Sequence, residues 1–287
     1  MQGGSASARP AFNIESAREY FNVVTDQVAS TLTGPADSTG KPTLSPNDIL
    51  RASAADIAKC DFALVRITSP QNGNPTYMGF GGTTTSGEKY TYLPISLQYR
   101  PYTANSSFVR KESIAGDMIE VTETLFNDGA DGQVKTLKKE NRSYFGKTGI
   151  IRNESDLDLV LNTAAVAKKV VVVVNASNPM VFKEFESKVA AILVGFGGDR
   201  SSYLADKAFL EIIAGKVEPS GLLPLQMPAN METVEAQFED VPRDMECHVD
   251  SDGHKYDFAY GMNWSGVIKD SRTAKYGVPP IVGAPPR

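Results

Sequence analysis

A single carboxylate with aromatic neighbours stands in a long segment that has no helical periodicity. Glu88 is the only acidic residue in the segment 68–104, and Tyr90 and Tyr92 follow it closely. A carboxyl group beside an apolar wall keeps its proton to a higher pH, as a general acid requires. Structureless loops of this length are uncommon in compact domains and are usually functional. Glu88 is therefore the one carboxyl group of this segment that could take part in proton transfer, and a solvated loop glutamate beside Lys89 is the alternative.

The same segment is rich in tyrosine. Aromatic rings with a polar edge suit sugar rings, and they equally suit the packed interface between two domains. We expect interface packing ahead of sugar stacking. The tyrosines are Tyr77, Tyr90, Tyr92, Tyr99 and Tyr102.

A glycine-rich turn at 195–200 follows an apolar run and precedes a helical stretch. Ligands of open α/β sheets bind at such carboxyl ends of strands, so Asp199 and Arg200 are candidate binding residues. A dinucleotide site requires the pattern Gly-x-Gly-x-x-Gly, and Arg200 stands at the position of the third glycine. The pattern therefore favours a tight strand-to-helix turn over a phosphate site.

Both histidines of the chain lie in residues 247–254, together with Cys247, Asp250 and Asp252. These are metal-ligand types, but their spacing fits neither the calcium-loop pattern nor the paired cysteines of a zinc site. A polar surface loop is the favoured interpretation, and no metal or other cofactor is expected. Because both histidines share one loop, the sequence has no pattern typical of a Ser-His-Asp triad.

The composition is that of a globular protein and limits its partners. The chain has 287 residues, of which 41% are hydrophobic, enough to bury a substantial core. Its net charge of −5 argues against a nucleic-acid partner. The longest aliphatic run, 170–174, is too short to span a membrane, and we expect no membrane partner. Cys60 and Cys247 are too few for a disulfide scaffold, and the Gly/Ser/Ala-rich residues 1–10 predict a flexible tail, not a secretory signal.

The elements that position these residues begin with two helices and a strand. A helix-like stretch covers 14–32, and a Gly/Pro-rich connector leads to Ser45-Pro46, a helix-start signal. The helix that follows is expected to run to Cys60. The apolar run 61–67 then predicts a strand covered on both faces.

The middle of the chain is expected to be mostly extended. Residues 114–126 and 143–151 predict extended pieces, and 127–129 predict a turn between them. The charged run 138–142 is interpreted as a solvated turn.

The second half alternates strands with helices. Ser155 could cap a helix through Ala167, and a helix at 205–214 is expected to stop at Gly215, the preferred left-handed residue. The strands and a short helix between them are expected at 169–175, 190–194 and 182–189. The alternation predicts an α/β fold, a three-layer sandwich with a mostly parallel sheet between helices.

The most distinctive segment follows Gly215. It contains Pro219-Ser220-Gly221 and the apolar run 222–225, which has an internal proline and predicts a strand. Alone, such a segment indicates only a helix end and a turn before the next element. It also resembles a signature of the C-terminal α/β-sandwich domain of glycoside hydrolase family 3, in which a helix and a glycine precede Pro-Ser-Gly and Leu-Pro.

Four other segments resemble the same family in order and spacing, although in one of them glycine replaces the usual proline. They are residues 54–67, 170–179, 191–198 and Tyr256-Asp257-Phe258-Ala259-Tyr260-Gly261-Met262. The resemblance covers residues 45–266 and implies one domain there, preceded by a tail and extension at 1–44 and followed by a loose tail at 267–287. Family members usually carry the aspartate nucleophile on a preceding (β/α)8 barrel, and nothing resembling that motif lies upstream of residue 45.

The resemblance implies a β-glucosidase-like function, the hydrolysis of β-glycosidic bonds with retention. A long loop of this domain supplies the acid/base glutamate in many members, which implies that role for Glu88. Tyr90, Tyr92, Asp199 and Arg200 are the implied sugar contacts. The implied partners are a β-linked glycoside or oligosaccharide and a family 3 barrel on a separate or missing polypeptide, so the isolated chain is expected to be inactive.

Two alternatives stay open at this point. One is a non-catalytic carbohydrate-binding or interaction domain, in which another segment supplies the acid. The other is a flavodoxin-like nucleotide-binding domain, which the broken glycine pattern disfavours.

Overall fold

The computed structural model describes residues 2–3, 12–28, 49–50, 52–72, 94–109, 118–125, 133–140, 145–196, 203–238, 241 and 243–276. The chain divides into two compact units. The first unit comprises residues 1–71, 97–99 and 152–287, and the second comprises residues 72–96 and 100–151.

Short helices alternate with strands along the described residues. The helices are α1 (Ile14–Arg18), α2 (Ala54–Lys59), α3 (Glu154–Ala164), α4 (Tyr203–Ile213), α5 (Met231–Ala236) and α6 (Ser271–Tyr276), with a 3₁₀ helix at Glu186–Lys188. The strands are β1 (Gln2–Gly3), β2 (Gln27–Val28), β3 (Ile49–Leu50), β4 (Ala63–Thr68), β5 (Tyr102–Thr103), β6 (Met118–Leu125), β7 (Gln133–Glu140), β8 (Thr148–Gly149), β9 (Val170–Ala176), β10 (Ala191–Phe196), β11 (Met262–Asn263) and β12 (Gly266–Val267). None of the described helices has the length and apolar character that crossing a membrane requires.

A four-stranded sheet in the order β1-β4-β9-β10 organises the first unit. All three neighbouring pairs are parallel, and in the central pair Val65 lies opposite Val172. These strands are apolar along nearly their whole length because a parallel sheet is covered by helices on both of its faces. The strands predicted at 61–67, 169–175 and 190–194 are confirmed as β4, β9 and β10.

Helices cover the sheet on both faces. On one face, Leu64 and Val173 form a core cluster with Leu210 of α4 and with Phe12 and Ala17 of the α1 region. Alternate residues along the same strands point to the other face, where α3 packs against β4 and β9. The predicted three-layer α/β sandwich with a mostly parallel sheet is confirmed.

The helix predicted over 14–32 is wrong at 19–28, which follow the end of α1 at Arg18, and residues 29–32 lie outside the described part of the chain. The β-branched run 23–25 has low helix propensity. Tyr20 and Phe21 pack against the core cluster in an irregular segment. Tertiary packing therefore holds this segment, which leads to β2.

The helix predicted from Ser45-Pro46 to Cys60 is also placed wrongly. Residues Ile49–Leu50 form strand β3, and α2 begins only at Ala54. Ser53 is the N-cap, and its hydroxyl accepts a hydrogen bond from Asp56 N at 3.1 Å. A serine followed three residues later by an acidic side chain is a local helix-start signal, and here it overrides the proline signal upstream.

The second unit contains two antiparallel strand pairs, β5 with β8 and β6 with β7. Strand β6 confirms the extended conformation within 114–126. The solvated turn expected at 138–142 is wrong at 138–140, which lie in β7. The register places Lys138 opposite Glu120.

The helices of the second half follow the prediction closely. Helix α3 runs from Glu154 to Ala164 with Asn153 at the N-cap position, so the predicted cap at Ser155 is wrong and the predicted end at Ala167 is three residues too late. Helix α4 is followed by Gly215 at φ +68°, as expected of a left-handed helix terminator. The helix expected at 182–189 is reduced to the 3₁₀ turn. Residues 222–225 form no strand, because Pro224 cannot donate to a strand ladder.

Candidate functional site

The residues that the sequence predicts for acid/base chemistry or sugar contact lie outside the described residues. They are Glu88, Tyr90, Tyr92, Asp199 and Arg200. The structure does describe two stems of the segment that carries Glu88 within the first unit, residues 68–71 and 97–99. These stems form the describable part of the candidate site.

The outgoing stem leaves from the carboxyl edge of the parallel sheet. Strand β4 ends at Thr68, and its neighbours β9 and β10 end at Ala176 and Phe196 on the same edge, because the three strands are parallel. Ligands of open α/β sheets bind outside this edge. The segment that contains Glu88 therefore begins at the sheet edge where such folds place their ligand-binding sites.

A buried polar network fixes the outgoing stem. The carboxamide nitrogen of Asn153 donates to Thr68 O at 3.0 Å and to Asp156 Oδ2 at 3.1 Å. Asn153 Oδ1 accepts from Gln71 N at 2.8 Å, and Asp156 Oδ2 accepts from Thr68 N at 3.1 Å. Thr68, Asn153 and Asp156 are all buried. Each buried polar group of this stem is thereby paired, which a stable core requires.

The end of β9 holds the same stem from the other side. Ser69 N donates to Asn175 O at 3.0 Å, which extends the pairing of β4 with β9 by one residue. The Ser69 hydroxyl then accepts from Ser177 N at 3.0 Å. The stem consequently has hydrogen bonds to both α3 and the neighbouring strand.

Tyr99 fixes the returning stem. Its ring is fully buried, and its hydroxyl donates to Thr68 O at 2.6 Å. Its backbone N donates to Glu184 Oε2 at 2.6 Å. Burial, with smaller effects of Asp156 and Glu184, raises the pKa of Tyr99 well above its ordinary value, so the hydroxyl stays a donor. The expectation that Tyr99 belongs to an interface or a sugar site is wrong, because its ring fills the core of the first unit.

A second cluster, made of aromatic and charged side chains, surrounds His248. Cys247 and His248 are buried, so the interpretation of 247–254 as a surface loop is wrong for these two residues. The His248 ring packs against Tyr256 and Phe182 at centroid distances of 5.0 and 6.4 Å. Its Nε2 lies 3.7 Å from Glu186 Oε2.

Burial decides the charge of His248. Desolvation lowers its pKa below the ordinary value, and Lys183 adds to this effect, whereas the Glu186 and Asp250 carboxylates oppose it. The buried ring is therefore neutral near pH 7 and acts as an aromatic packing residue.

Two tyrosines and a second histidine complete this cluster. Tyr256 and Tyr260 stack with ring centroids 5.2 Å apart, and His254 Nδ1 lies 3.2 Å from Asp250 Oδ2. Burial first, then the Asp250 and Asp252 charges, raises the pKa of Tyr260 to about 12. Among the residues that the structure describes, no group of His, Cys, Asp and Glu side chains is placed to hold a metal ion.

A cavity of about 380 Å³ lies at the other end of β4. It is lined by residues 21–24, 52, 56–57 and 59–64. These residues precede β4 or begin it, so the cavity lies opposite the edge from which the Glu88 segment departs.

Sequence reasoning missed Asn153, Asp156 and Tyr99 as the residues that position the stems. Asn and Asp three residues apart before an apolar helix do predict a helix start. Their hydrogen bonds have no local signal in the sequence, because Gln71 and Asn153 are 82 residues apart and Thr68 and Asp156 are 88 residues apart.

Comparisons with known proteins agree on one family. The glycosyl hydrolase family 3 C-terminal domain matches residues 51–264. Probable beta-glucosidase C of Aspergillus flavus and that of Aspergillus oryzae are each 37% identical over 81 residues, 28% of this chain and 12% of the relative. Beta-glucosidase C of Emericella nidulans is 36% identical over 80 residues, with the same coverage. No solved structure gives a significant match. Because the family match spans most of a chain that also has the expected α/β sandwich, the chain belongs to the family of glycosyl hydrolase family 3 C-terminal domains.

Proposed function

We propose that this chain is the second domain of a retaining, β-glucosidase-like glycoside hydrolase. In this proposal the segment 68–104 supplies the acid/base Glu88, and Tyr90, Tyr92, Asp199 and Arg200 contact the sugar. A (β/α)8 barrel on a separate or missing polypeptide supplies the nucleophile. The substrate is a β-linked glycoside or oligosaccharide.

Family membership supports the reaction class. The chain matches the second domain of family 3, and the three relatives carry beta-glucosidase names. The alignment with each of these three relatives covers only 12% of the relative's length. The activity of the whole enzyme is therefore part of the proposal.

The observation that carries the proposal is the anchoring of both stems. Thr68 accepts hydrogen bonds from the Asn153 carboxamide at 3.0 Å and from the Tyr99 hydroxyl at 2.6 Å, so one carbonyl oxygen ties the outgoing stem to the returning one. Buried, fully paired networks of this kind specify a unique geometry. A catalytic loop needs such support, because an acid displaced by about 1 Å can lose about 10²-fold in rate.

The chemistry of retention explains why a second carboxyl group is needed. Retaining glycosidases use two carboxyl groups about 5–5.5 Å apart, one as nucleophile and one as acid/base. Glu88 would protonate the leaving oxygen in the first step and activate water in the second. Its segment contains no other acidic residue, so the nucleophile must come from elsewhere.

The test is Glu88→Gln in the chain supplied with a family 3 barrel. We expect hydrolysis of cellobiose, which has a poor leaving group, to fall by about 10²–10⁴-fold. Hydrolysis of 2,4-dinitrophenyl β-glucoside should fall much less in its first step, because this leaving group needs little protonation. Added azide should restore turnover and yield the glycosyl azide.

Glu232→Gln is the matched control, because it makes the same change at an exposed glutamate of α5. It should retain full activity on both substrates. An equal loss on both substrates in Glu88→Gln, at unchanged melting temperature and without azide rescue, would remove Glu88 from the role. If the unaltered chain together with the barrel hydrolyses neither substrate, the proposal is wrong.

A further inference from the structure

The single tryptophan of the chain is exposed at the tip of a small hairpin. Trp264 lies between β11 and β12, and 62% of its surface is exposed. A tryptophan is among the most costly side chains to leave in water, because of its large apolar area. Tryptophan combines a large apolar ring with a polar N–H, and it is enriched where proteins contact ligands and partners, so a solvent-facing indole on an ordered hairpin is a candidate contact.

The hairpin holds the indole in a fixed place. Met262 pairs with Val267 and Asn263 with Gly266, and Gly266 takes φ +106°, a conformation that other residues rarely adopt. The backbone N of Trp264 donates to Glu218 Oε1 at 3.3 Å. The site is therefore built before any ligand binds, which lowers the entropy cost of binding.

The ring itself is available. Within the described part of the chain, the indole makes no hydrogen bond and no ring contact. Met262 and Val267, the pair at the base of the hairpin, are 43% and 37% exposed. Together they form a small apolar face with a free ring at its tip.

Polar groups lie beside this face. Glu218 accepts from the Trp264 backbone, and two residues further on Ser220 O accepts from Arg272 Nη1 at 2.8 Å. Arg272 also pairs with Asp270, Nη2 to Oδ2, at 2.7 Å. The segment 218–220 thus contacts the hairpin through the exposed Glu218 carboxylate and contacts the exposed Arg272 guanidinium through Ser220 O.

The size of the apolar face identifies its occupant. A stable protein interface buries about 800 Å² on each partner, far more than the exposed parts of three side chains provide. A single sugar ring is covered by one indole. In β-linked glucose chains the ring substituents are equatorial, which leaves a flat CH face for an aromatic ring and a rim of hydroxyl groups for charged side chains.

We propose that Trp264 is a stacking platform for a β-linked gluco-oligosaccharide, with Glu218 and Arg272 binding hydroxyl groups at its rim. This site consists of residues around the β11–β12 hairpin, none of which is among the residues assigned to hydrolysis. The choice of ligand class rests on the proposed function.

The first test uses the native fluorescence of the full chain, because Trp264 is its only tryptophan. Titration with cellohexaose should produce a saturable blue shift and intensity change as the indole leaves water. Maltohexaose, with α-linked rings, should produce a markedly weaker response. Absence of a saturable response to cellohexaose would overturn the proposal.

The second test separates stacking from general surface effects. Native gels that contain soluble β-glucan should retard the unaltered chain, and Trp264→Ala should weaken the apparent affinity by about tenfold. Trp264→Tyr, which keeps a stacking ring, should recover most of the retardation. Phe238→Ala is the matched control, because Phe238 is another exposed aromatic residue, 48% exposed. It should be retarded like the unaltered chain.

Two outcomes would reassign the hairpin. Equal retardation of Trp264→Ala and the unaltered chain would overturn the proposal. Self-association that depends on Trp264 in sedimentation, without any response to cellohexaose, would overturn it in favour of a protein contact. Neither measurement needs hydrolysis or a barrel, so the platform and the proposed acid/base role of Glu88 can each fail independently.

Discussion

At the scale of single residues, Asn153 determines how the sheet edge is built. Its carboxamide bonds to Thr68, Gln71 and Asp156, and all of its neighbours in this network are inside the core or at its margin. Removal of one partner leaves buried groups unpaired, which costs more than the bond itself contributes. The network is therefore sensitive to a single truncation.

We expect Asn153→Ala to lower the free energy of unfolding by about 1–3 kcal/mol, because it leaves Gln71 N without its acceptor and removes one of the two donors to the buried Asp156 Oδ2. Urea denaturation followed by circular dichroism measures this change. Asn162→Ala, at an exposed position of the same helix, is the control and should be neutral or slightly stabilising, since alanine favours helices. Equal stability of the two variants would contradict the role of the network.

His248 predicts the direction of a pH effect. Its pKa is lowered in the folded chain from the ordinary value of 6.5, mainly by burial. Below that ordinary value the unfolded chain binds a proton that the folded chain does not, so stability falls as the pH decreases through this window. The stability that neutral His248 permits is fully present above about pH 6.5.

The measurement is urea denaturation between pH 5 and pH 7.5 for the unaltered chain and for His248→Gln. The difference in unfolding free energy between the two should shrink as the pH falls, because only the unaltered chain loses stability through His248. The nearby groups Glu186, Asp250 and Lys183 are present in both chains. A difference that grows on acidification would show that attraction to Glu186 outweighs burial.

At the scale of elements, two sequence motifs of the family meet each other. Leu223 N donates to Tyr260 O at 2.7 Å, and Ala259 N donates to Leu223 O at 2.8 Å. Next to these bonds Gly261 lies directly against the carbonyl oxygen of Gly221, where a Cβ would overlap it. The Pro-Ser-Gly turn and the closing Tyr-Gly segment are therefore two sides of one close backbone contact.

Gly261→Ala should destabilise the fold by about 1–3 kcal/mol, because the added methyl group must push a backbone carbonyl aside. Gly221→Ala is the matched control, since no atom lies within 4 Å of the point that its added methyl group would occupy. Thermal unfolding followed by circular dichroism distinguishes the two. A lower melting temperature in Gly221→Ala than in Gly261→Ala would refute the close-contact explanation.

A buried ion pair joins the N-terminal segment to the sheet. Arg66 of β4 pairs with Asp206 of α4, Nη1 to Oδ1, at 2.5 Å, and both side chains are nearly buried. Asp206 Oδ2 also accepts from Asn13 N at 2.8 Å, and Phe12 lies under the Arg66 guanidinium at 4.8 Å. One carboxylate thus fixes a strand, a helix and the start of α1.

Asp206→Ala should lower the unfolding free energy by about 3–5 kcal/mol, because it removes the carboxylate that pairs with the nearly buried Arg66 guanidinium. It should also speed tryptic cleavage after Arg18, since the N-terminal segment loses its anchor. Glu15→Ala, which breaks only the exposed pair with Arg18, is the control and should change stability little. Unchanged cleavage at Arg18 in Asp206→Ala would show that packing alone holds the segment.

At the scale of the whole molecule, hydrolysis requires a second carboxyl group. The proposal therefore predicts that the purified 287-residue chain hydrolyses no aryl β-glucoside above background. A continuous assay with 4-nitrophenyl β-glucoside tests this, with and without an added barrel. Robust turnover by the chain alone, abolished by Glu88→Gln, would show that both carboxyl groups lie in this polypeptide.

The sequence by itself determined the layered fold and the regular elements whose signals are local. The valine run of β9, the apolar runs of β4 and β10, and Gly215 after α4 each specify their structure through neighbours a few residues away. The register and partners of those elements required the tertiary structure. Glu88 stays a prediction from the sequence.

Tertiary structure decided which polar and aromatic residues are buried. In the sequence Tyr99 is one of several tyrosines in a loop, yet it is fully buried because Thr68, 31 residues away, accepts the hydrogen bond of its hydroxyl. His248 belongs to a polar stretch of sequence, yet Phe182 and Tyr256 enclose it. Periodicity indicates which face of an element is apolar, whereas burial of a polar side chain depends on packing neighbours and partners that are distant in sequence and that only the folded chain brings together.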